Sequence, residues 1–195
     1  DLLNKADKGD IVSQKIFRIM TPLIKFRACR DARKVAGDAM EIRGGLGYIE
    51  DWLDPKILRD SHLGSIWEGT SNIISLDTIR ALKKDNNLQI FKNFLIDSVK
   101  INSEKEQDKH LLSVIDDVFN FVENEVKEDF TSSSRQITTS LYYLSSAIFL
   151  IEEGNYCEDL AYRSKISELI IKYKIDKNSP ITRDDIDYDL INNLI

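Results

Sequence analysis

The stretch IFRIMTPLIKFRACRDARKVAGDAM, residues 16–40, decides the fold class of this chain. Its apolar residues recur every three or four positions and share one helical face: Ile16, Ile19, Met20, Leu23, Ile24, Ala28, Ala32, Val35, Ala36, Ala39 and Met40. We therefore predict one long helix over about residues 11–43, with Pro22 as a candidate kink because proline lacks a backbone donor. Gly44 should end the helix, since glycine takes the left-handed cap conformation at no steric cost.

Similar spacing predicts helices along the rest of the chain. A short helix near 55–63 should follow Asp54 as N-cap, and Thr70 or Ser71 should cap another that ends at about residue 84. Four apolar patterns follow at 88–99, 111–126, 137–151 and 160–170, and the acidic tail could add a fifth helix. With three prolines and eight glycines among 195 residues, the sequence predicts an all-α fold.

The segment KKDNN, residues 83–87, is the predicted boundary between two helical domains, 1–84 and 85–195. The first contains 15 Lys and Arg against 12 Asp and Glu, whereas the second contains 12 against 21. Short polar loops in the second favour an antiparallel bundle. Because its acidic surface repels phosphate backbones, we do not expect it to bind nucleic acid.

Composition limits the remaining classes of protein. The chain is 42% hydrophobic, enough for a buried core, but no apolar run approaches the roughly 20 residues that cross a bilayer. With no secretory pattern and two distant cysteines, Cys29 and Cys157, we expect a cytoplasmic protein whose thiols are packing residues. The two histidines, His62 and His110, lack metal-ligand spacing.

Two segments together carry the pattern of a functional site: AMEIRGGLGYIED, residues 39–51, and RDSHLGSIWEGTSNIISLDTIRAL, residues 59–82. GGLG is not a dinucleotide fingerprint, since it follows a predicted helix. At this spacing the two segments resemble the C-terminal helical domain of acyl-CoA dehydrogenases, flavoenzymes that oxidise the α,β bond of acyl-CoA thioesters. The resemblance covers about residues 11–84.

The resemblance implies an FAD-dependent parent enzyme that forms a homo-oligomer, a tetramer or a dimer. The chain begins without methionine, and we expect a piece of a longer protein from which the N-terminal helical and middle β-domains are absent. Such a fragment alone should be inactive. The SIWEGTSNI form and the additional helical bundle at 85–195 look most like the AidB-type branch of the family.

Glu68 stands where the family has the general base that removes the substrate α-proton. A base for such a weak acid needs a raised pKa, and an apolar wall such as Trp67 can raise it by desolvation. The family also polarises the thioester carbonyl through the main-chain N–H of this glutamate, and Gly69 would leave room for the acyl chain. In one branch of the family the base comes from another helix, so the acid alone does not prove the role.

The resemblance assigns cofactor contacts to two further segments. Thr70, Ser71 and Asn72 begin a helix whose N-terminus suits the flavin pyrophosphate. The segment Glu41, Ile42, Arg43, Gly44 and Gly45 matches a stretch that reaches the flavin of a neighbouring subunit. The family usually has glutamine where this chain has Glu41. This acid is unfavourable beside a pyrophosphate unless a group such as Arg43 offsets it.

Each of these residues also has a purely structural explanation. Glu68 could be a surface acid at a helix N-terminus, and the glycines could simply end a helix. Arg59 and Asp60 could form a salt bridge, and Trp52 and Trp67 could be packing residues. At the level of the whole protein, the alternatives are an AidB-like flavoprotein that binds DNA, or an oligomerisation or partner-docking module.

Overall fold

The computed structural model describes residues 2–102, 105–127, 131–157 and 159–176. Every regular element in these ranges is helical, which confirms the all-α prediction. The α-helices are α1 (Leu2–Asp7), α2 (Ile11–Ile42), α3 (Gly45–Tyr48), α4 (Asp54–Leu63), α5 (Ser71–Lys83), α6 (Asn87–Asn102), α7 (Lys105–Lys127), α8 (Ser134–Tyr156) and α9 (Leu160–Ile170). A 3₁₀ turn (Thr131–Ser133) precedes α8, and a π turn (Ile171–Ile175) follows α9.

The long helix α2 has the predicted length but a different C-terminal end. At its start the Asp10 carboxylate accepts the Ser13 N–H at 2.8 Å, and the helix continues through Pro22. After Arg43, Gly44 ends the helix with the predicted positive φ, 60°, but its ψ of −140° lies outside the left-handed helical region. The chain turns at once into α3, and this backbone conformation is one that only glycine adopts readily.

The apolar stripe of α2 is buried only over its first half. Ile16, Ile19, Leu23 and Phe26 are in the core, and α2 packs against α1, α4 and α5. Beyond them the stripe residues are mostly exposed, with Ala36 as the buried exception. An apolar stripe left exposed in this way marks a surface suited to contact with another protein surface.

The next two helices begin close to their predicted starts. Helix α4 starts at Asp54 itself rather than after it, because the Asp54 carboxylate pairs with Arg43 instead of capping the helix. Helix α5 has Thr70 as its N-cap and ends at Lys83, as predicted. The short loop that follows contains two residues with positive φ, Asp85 and Asn86.

The chain clusters into two compact units. The first contains Asp1–Leu88 and Glu125–Thr139, and the second contains Gln89–Asn124 and the chain from Ser140 onward. Within the first unit, the buried hydroxyls of Ser75 and Ser134 lie 3.1 Å apart. Compactness does not by itself define a domain, so the division at residues 84 and 85 stays a prediction.

The second unit has a core built from the predicted apolar positions. Its fully buried side chains include Phe91, Leu95, Ile115, Phe119, Val122, Leu141 and Leu144. The rings of Phe91 and Phe119 lie 6.2 Å apart, between centroids. Helices α6 to α9 thus match the four predicted patterns, while the fifth lies outside the described residues.

Both cysteines are free. Cys29 is partly buried, but Cys157 is exposed, so the expectation that both are packing residues is wrong for Cys157. In the described ranges, no group of three or more potential ligands could hold a metal ion. None of the described helices combines the length and apolar character needed to cross a membrane.

Candidate functional site

The connection between α4 and α5 carries Glu68, and it is anchored to α2. The N–H of Trp67 donates to the carbonyl of Leu63 at 3.1 Å, and the Ser65 hydroxyl donates to the carbonyl of Cys29 at 3.3 Å. A side chain at Gly64 would meet the Cys29 sulfur at 3.0 Å. These contacts with α2 therefore fix the position of the WEGT segment, residues 67–70, after the end of α4.

Glu68 has an unusual backbone conformation and an exposed carboxylate. Its φ is 53°, and φ of the next residue, Gly69, is 106°. The carboxylate is 79% exposed, and its Oε2 lies 3.8 Å from Lys25 Nζ, which also donates to the carbonyl of Trp67 at 3.3 Å. Left-handed conformations of non-glycine residues cost energy and concentrate at functional sites.

The expected apolar enclosure of Glu68 is not made by Trp67. The Trp67 side chain is itself 56% exposed, so within the described residues it leaves the neighbouring carboxylate open to solvent. The main-chain N–H of Glu68 has no acceptor in this part of the chain. The carboxylate is therefore accessible to a ligand, and the N–H has no acceptor within the described residues.

Gly69 is required by the local fold. A Cβ on this residue would lie 3.0 Å from Ile74 Cδ1 and 3.4 Å from Ile73 Cγ2. Together with the positive φ, this contact accounts for glycine without reference to a substrate. Its role beside an acyl chain stays a prediction.

The N-terminus of α5 lies beside positively charged groups. The Thr70 side chain makes no capping hydrogen bond, while the Asn72 Oδ1 accepts from Arg135 Nε at 2.6 Å. Burial lowers the pKa of Arg30, and the charges of Arg27, Arg135 and Arg33 lower it further. An arginine whose protonated form is disfavoured by other arginines indicates a site with positive potential.

The glycine turn is exposed and its arginine is already paired. Ile42 is 86% exposed, and added Cβ atoms at Gly44 and Gly45 would meet no atom within 4 Å. Arg43 Nε lies 3.2 Å from Asp54 Oδ2, and its guanidinium carbon lies 5.2 Å from the centroid of the Trp52 ring. Arg43 therefore pairs with Asp54 and does not offset the charge of Glu41 as expected.

A predicted salt bridge has a different partner from the expected one. Arg59 donates two hydrogen bonds to Glu50, at 2.6 and 3.1 Å, rather than pairing with Asp60. Adjacent residues of a helix point in different directions, whereas Glu50 lies in the connection before α4 and faces Arg59. The hydrogen bond from Arg59 lowers the pKa of Glu50.

The two predicted groups of site residues have separate neighbours. Residues 68–72 contact Lys25 and Arg135, while residues 41–45 contact α4 through Arg43. Sequence reasoning missed Lys25 and Arg135. Lys25 lies in the long helix α2, and Arg135 is 63 positions after Asn72. Both become neighbours of the site only in the folded chain.

Residues 2–83 match the family model described as acyl-CoA dehydrogenase, C-terminal domain. This match agrees with the helical fold of these residues. Residues 2–83 are therefore similar to the C-terminal domain of acyl-CoA dehydrogenases.

Two curated relatives illustrate the range of the family. The chain is 33% identical over 107 residues to acyl-CoA dehydrogenase family member 11 of Caenorhabditis elegans, which covers 55% of this chain and 17% of that protein. It is 42% identical over 67 residues to the putative acyl-CoA dehydrogenase AidB of Escherichia coli. This match covers 34% of this chain and 12% of that protein. The chain thus spans less than a fifth of either relative.

Two solved structures extend the similarity. The crystal structure of Caenorhabditis elegans ACDH-11 in complex with C11-CoA matches 90% of this chain and 32% of its own, with a TM-score of 0.72 and 26% identity. The apo form of Bd2924 matches 75% of this chain and 27% of its own, with a TM-score of 0.59 and 29% identity. Because 90% coverage exceeds the family match, the similarity to ACDH-11 includes helices after α5.

Proposed function

We propose that this chain is the C-terminal part of an FAD-dependent acyl-CoA dehydrogenase-like enzyme in which Glu68 is the general base. The observation that carries the proposal is the positive φ of Glu68, a non-glycine residue with an exposed carboxylate. Strain of this kind persists where the surrounding fold imposes it and where function uses it. The family match supports the class of enzyme.

In this proposal Glu68 has two roles. Its carboxylate accepts the α-proton of the thioester, and its main-chain N–H donates a hydrogen bond to the thioester carbonyl, which stabilises the negative charge that develops there. Lys25, 3.8 Å from the carboxylate, helps to hold the Glu68 side chain in position. Bound flavin would supply the acceptor for the β-hydride.

The residues at the start of α5 fit an anionic group such as the flavin pyrophosphate. Thr70 leaves the first-turn N–H groups of Ser71 and Asn72 without a side-chain cap, and such groups bind phosphates well. Arg135 adds a positive charge beside Asn72. Glu41, Ile42, Arg43, Gly44 and Gly45 are the proposed contact with the flavin of a neighbouring subunit.

The proposed partner at the glycine turn is a second copy of the parent protein. Ile42, Tyr48 at 77% exposure and Leu53 at 70% present apolar surface around this turn. Light scattering should show a smaller assembly for the parent protein with Ile42→Glu than for the matched variant Ile11→Glu, which changes an exposed apolar residue at the opposite end of α2. Equal masses for the two variants would count against this contact.

Flavin reduction tests the proposed enzyme. The full-length protein, purified with its flavin, is mixed anaerobically with short, long and branched acyl-CoA thioesters while the oxidised flavin band is followed. We expect one class to bleach the band, and Glu68→Gln to abolish the bleaching. Asp51→Asn, which changes another exposed acid, should behave as wild type. Bleaching by Glu68→Gln at the wild-type rate would refute the role of Glu68.

A second candidate is an AidB-like flavoprotein that binds DNA, favoured by the 42% identity to AidB over 67 residues. The excess of acid in residues 85–195 opposes it, since DNA binding needs positive surface. A gel shift with duplex DNA that weakens as salt rises would favour this function. No shift at low salt would exclude it.

A third candidate is a docking or oligomerisation role for residues 85–195. Truncation at residue 85 would remove Ser134 and Arg135, which contact Ser75 and Asn72, so it would also disturb the first unit. Light scattering of the intact protein against a chain lacking only residues 177–195 avoids that problem. If the two chains form assemblies with the same number of subunits, residues 177–195 have no part in such a role.

We also propose a reducing, cytoplasmic location for the parent. The two free cysteines are compatible with it. Cell fractionation with a tagged full-length protein would test this, and recovery in a membrane-enclosed compartment would contradict it.

A further inference from the structure

The second compact unit contains an apolar cavity that the proposed dehydrogenase chemistry does not use. It has a volume of about 270 Å³ and lies where α7, α8, α9 and the π turn meet. Leu111, Ile151 and Ile171 form apolar parts of its wall, and all three are buried. The cavity opens to solvent at a rim formed by His110 and Glu168, so a ligand can enter it and bury these apolar side chains.

A buried hydroxyl in the cavity wall has no hydrogen-bond partner. Ser167 is 1% exposed, and its Oγ has no partner within the described residues. Helical serines elsewhere in the chain satisfy this group locally; Ser145, for example, donates to the carbonyl of Leu141 at 2.7 Å. An unsatisfied buried hydroxyl destabilises the folded state, and a ligand with a polar group would remove that cost.

The backbone beside the cavity is also unusual. At Ile171 the helix widens into the π turn, where the N–H of Asp176 donates to the carbonyl of Ile171 at 2.9 Å. Single π turns are rare and frequently occur at functional sites. Here the π turn begins at a residue that lines the cavity.

The rim limits the charge of a ligand. His110 and Glu168 line the cavity and are exposed, and residues 85–195 carry an excess of acid. A carboxylate entering beside Glu168 would be repelled and would lose its hydration in apolar surroundings. The group that pairs with Ser167 should therefore be neutral.

We infer that this cavity binds a small aliphatic molecule with one neutral hydroxyl or carbonyl group, which hydrogen-bonds to Ser167 Oγ. A cavity of about 150 Å³ accommodates benzene, so the present volume suits about ten non-hydrogen atoms. The aliphatic part fills the space between Leu111, Ile151 and Ile171, and the polar group meets the unpaired hydroxyl. The site is separate from Glu68 and does not depend on the proposed dehydrogenase function.

Calorimetric titration of the full chain with 1-octanol tests the inference. We expect saturable binding that Ser167→Ala weakens about fivefold, the effect of losing one neutral hydrogen bond. Ser164→Leu, which fills the cavity, should abolish binding. Ser145→Ala removes a buried serine outside the cavity and should leave the affinity unchanged.

Methyl NMR spectra locate the bound molecule independently of the variants. Addition of 1-octanol should shift the methyl resonances of Leu111, Ile151 and Ile171, and octanoate should bind at least tenfold more weakly. No binding of 1-octanol, or equal affinity for wild type and Ser167→Ala, would overturn the inference. Octanoate binding as tightly as 1-octanol would overturn the assignment of a neutral ligand.

Discussion

The left-handed backbone of Glu68 predicts that glycine at this position stabilises the chain while it removes the proposed base. A non-glycine residue with φ 53° carries about 1–2 kcal/mol of steric cost. Glycine avoids this cost but loses more chain entropy on folding. The pair with Lys25 adds little, since the carboxylate is 79% exposed and the charges are 3.8 Å apart. We therefore expect Glu68→Gly to raise the free energy of unfolding by about 0.5–1 kcal/mol.

Urea denaturation followed by circular dichroism measures this effect, and thermal unfolding should show a rise in Tm of about 1–4 °C. Glu68→Gln keeps the side chain and its strain, so its stability should equal that of wild type. Asp51→Gly is the matched control, because Asp51 is an exposed acid without positive φ. It should lose about 0.4–1 kcal/mol through the flexibility of the unfolded chain.

The stabilities of the two glycine variants together show whether the backbone of Glu68 is strained. If Glu68→Gly destabilises the chain as much as Asp51→Gly does, the left-handed conformation of Glu68 is not strained and the central structural argument for a functional site fails. If Glu68→Gly is more stable than wild type, the chain retains a residue that weakens its fold, as expected when function requires that residue.

Two further predictions concern the glycine turn and the start of α2. Gly47→Ala should destabilise the chain by about 1–3 kcal/mol, because its Cβ would clash with the carbonyl oxygen of Met40. Gly45→Ala, whose Cβ would meet no atom within 4 Å, should change the urea midpoint little. Hydrogen bonds from Ser13 lower the pKa of the Asp10 carboxyl below 3.8. The contribution of Asp10 to stability is therefore present above that value and disappears as the pH falls through the lowered pKa. Urea midpoints between pH 6 and pH 2 should fall less for Asp10→Asn than for wild type; identical profiles would refute this.

Most of the fold could be predicted from the spacing of apolar residues. Positions such as Ile16, Leu95 and Leu141 are buried as their helical patterns require. Spacing alone could not show that the second half of the α2 stripe is exposed, since burial depends on which surfaces meet. It also could not place residues 125–139 with residues 1–88, because that grouping depends on long-range contacts such as that between Ser75 and Ser134.

The candidate site was predictable to a lesser extent. The glycines and the WEGT segment are visible in the sequence because they form a contiguous pattern. The positive φ of Glu68, the approach of Lys25 and the hydrogen bond from Arg135 to Asn72 are consequences of tertiary packing. The partners of Arg43 and Arg59 were missed for the same reason, since each pairs with an acid in a neighbouring connection or helix.

The central claim is that Glu68 removes the α-proton of an acyl-CoA thioester. Exchange of this proton for deuterium, catalysed by the full-length protein in heavy water and followed by NMR of the thioester, measures that step directly. The account predicts exchange by wild type and by Asp51→Asn, and a loss of about 100-fold or more in Glu68→Gln. Exchange by Glu68→Gln at the wild-type rate would contradict it.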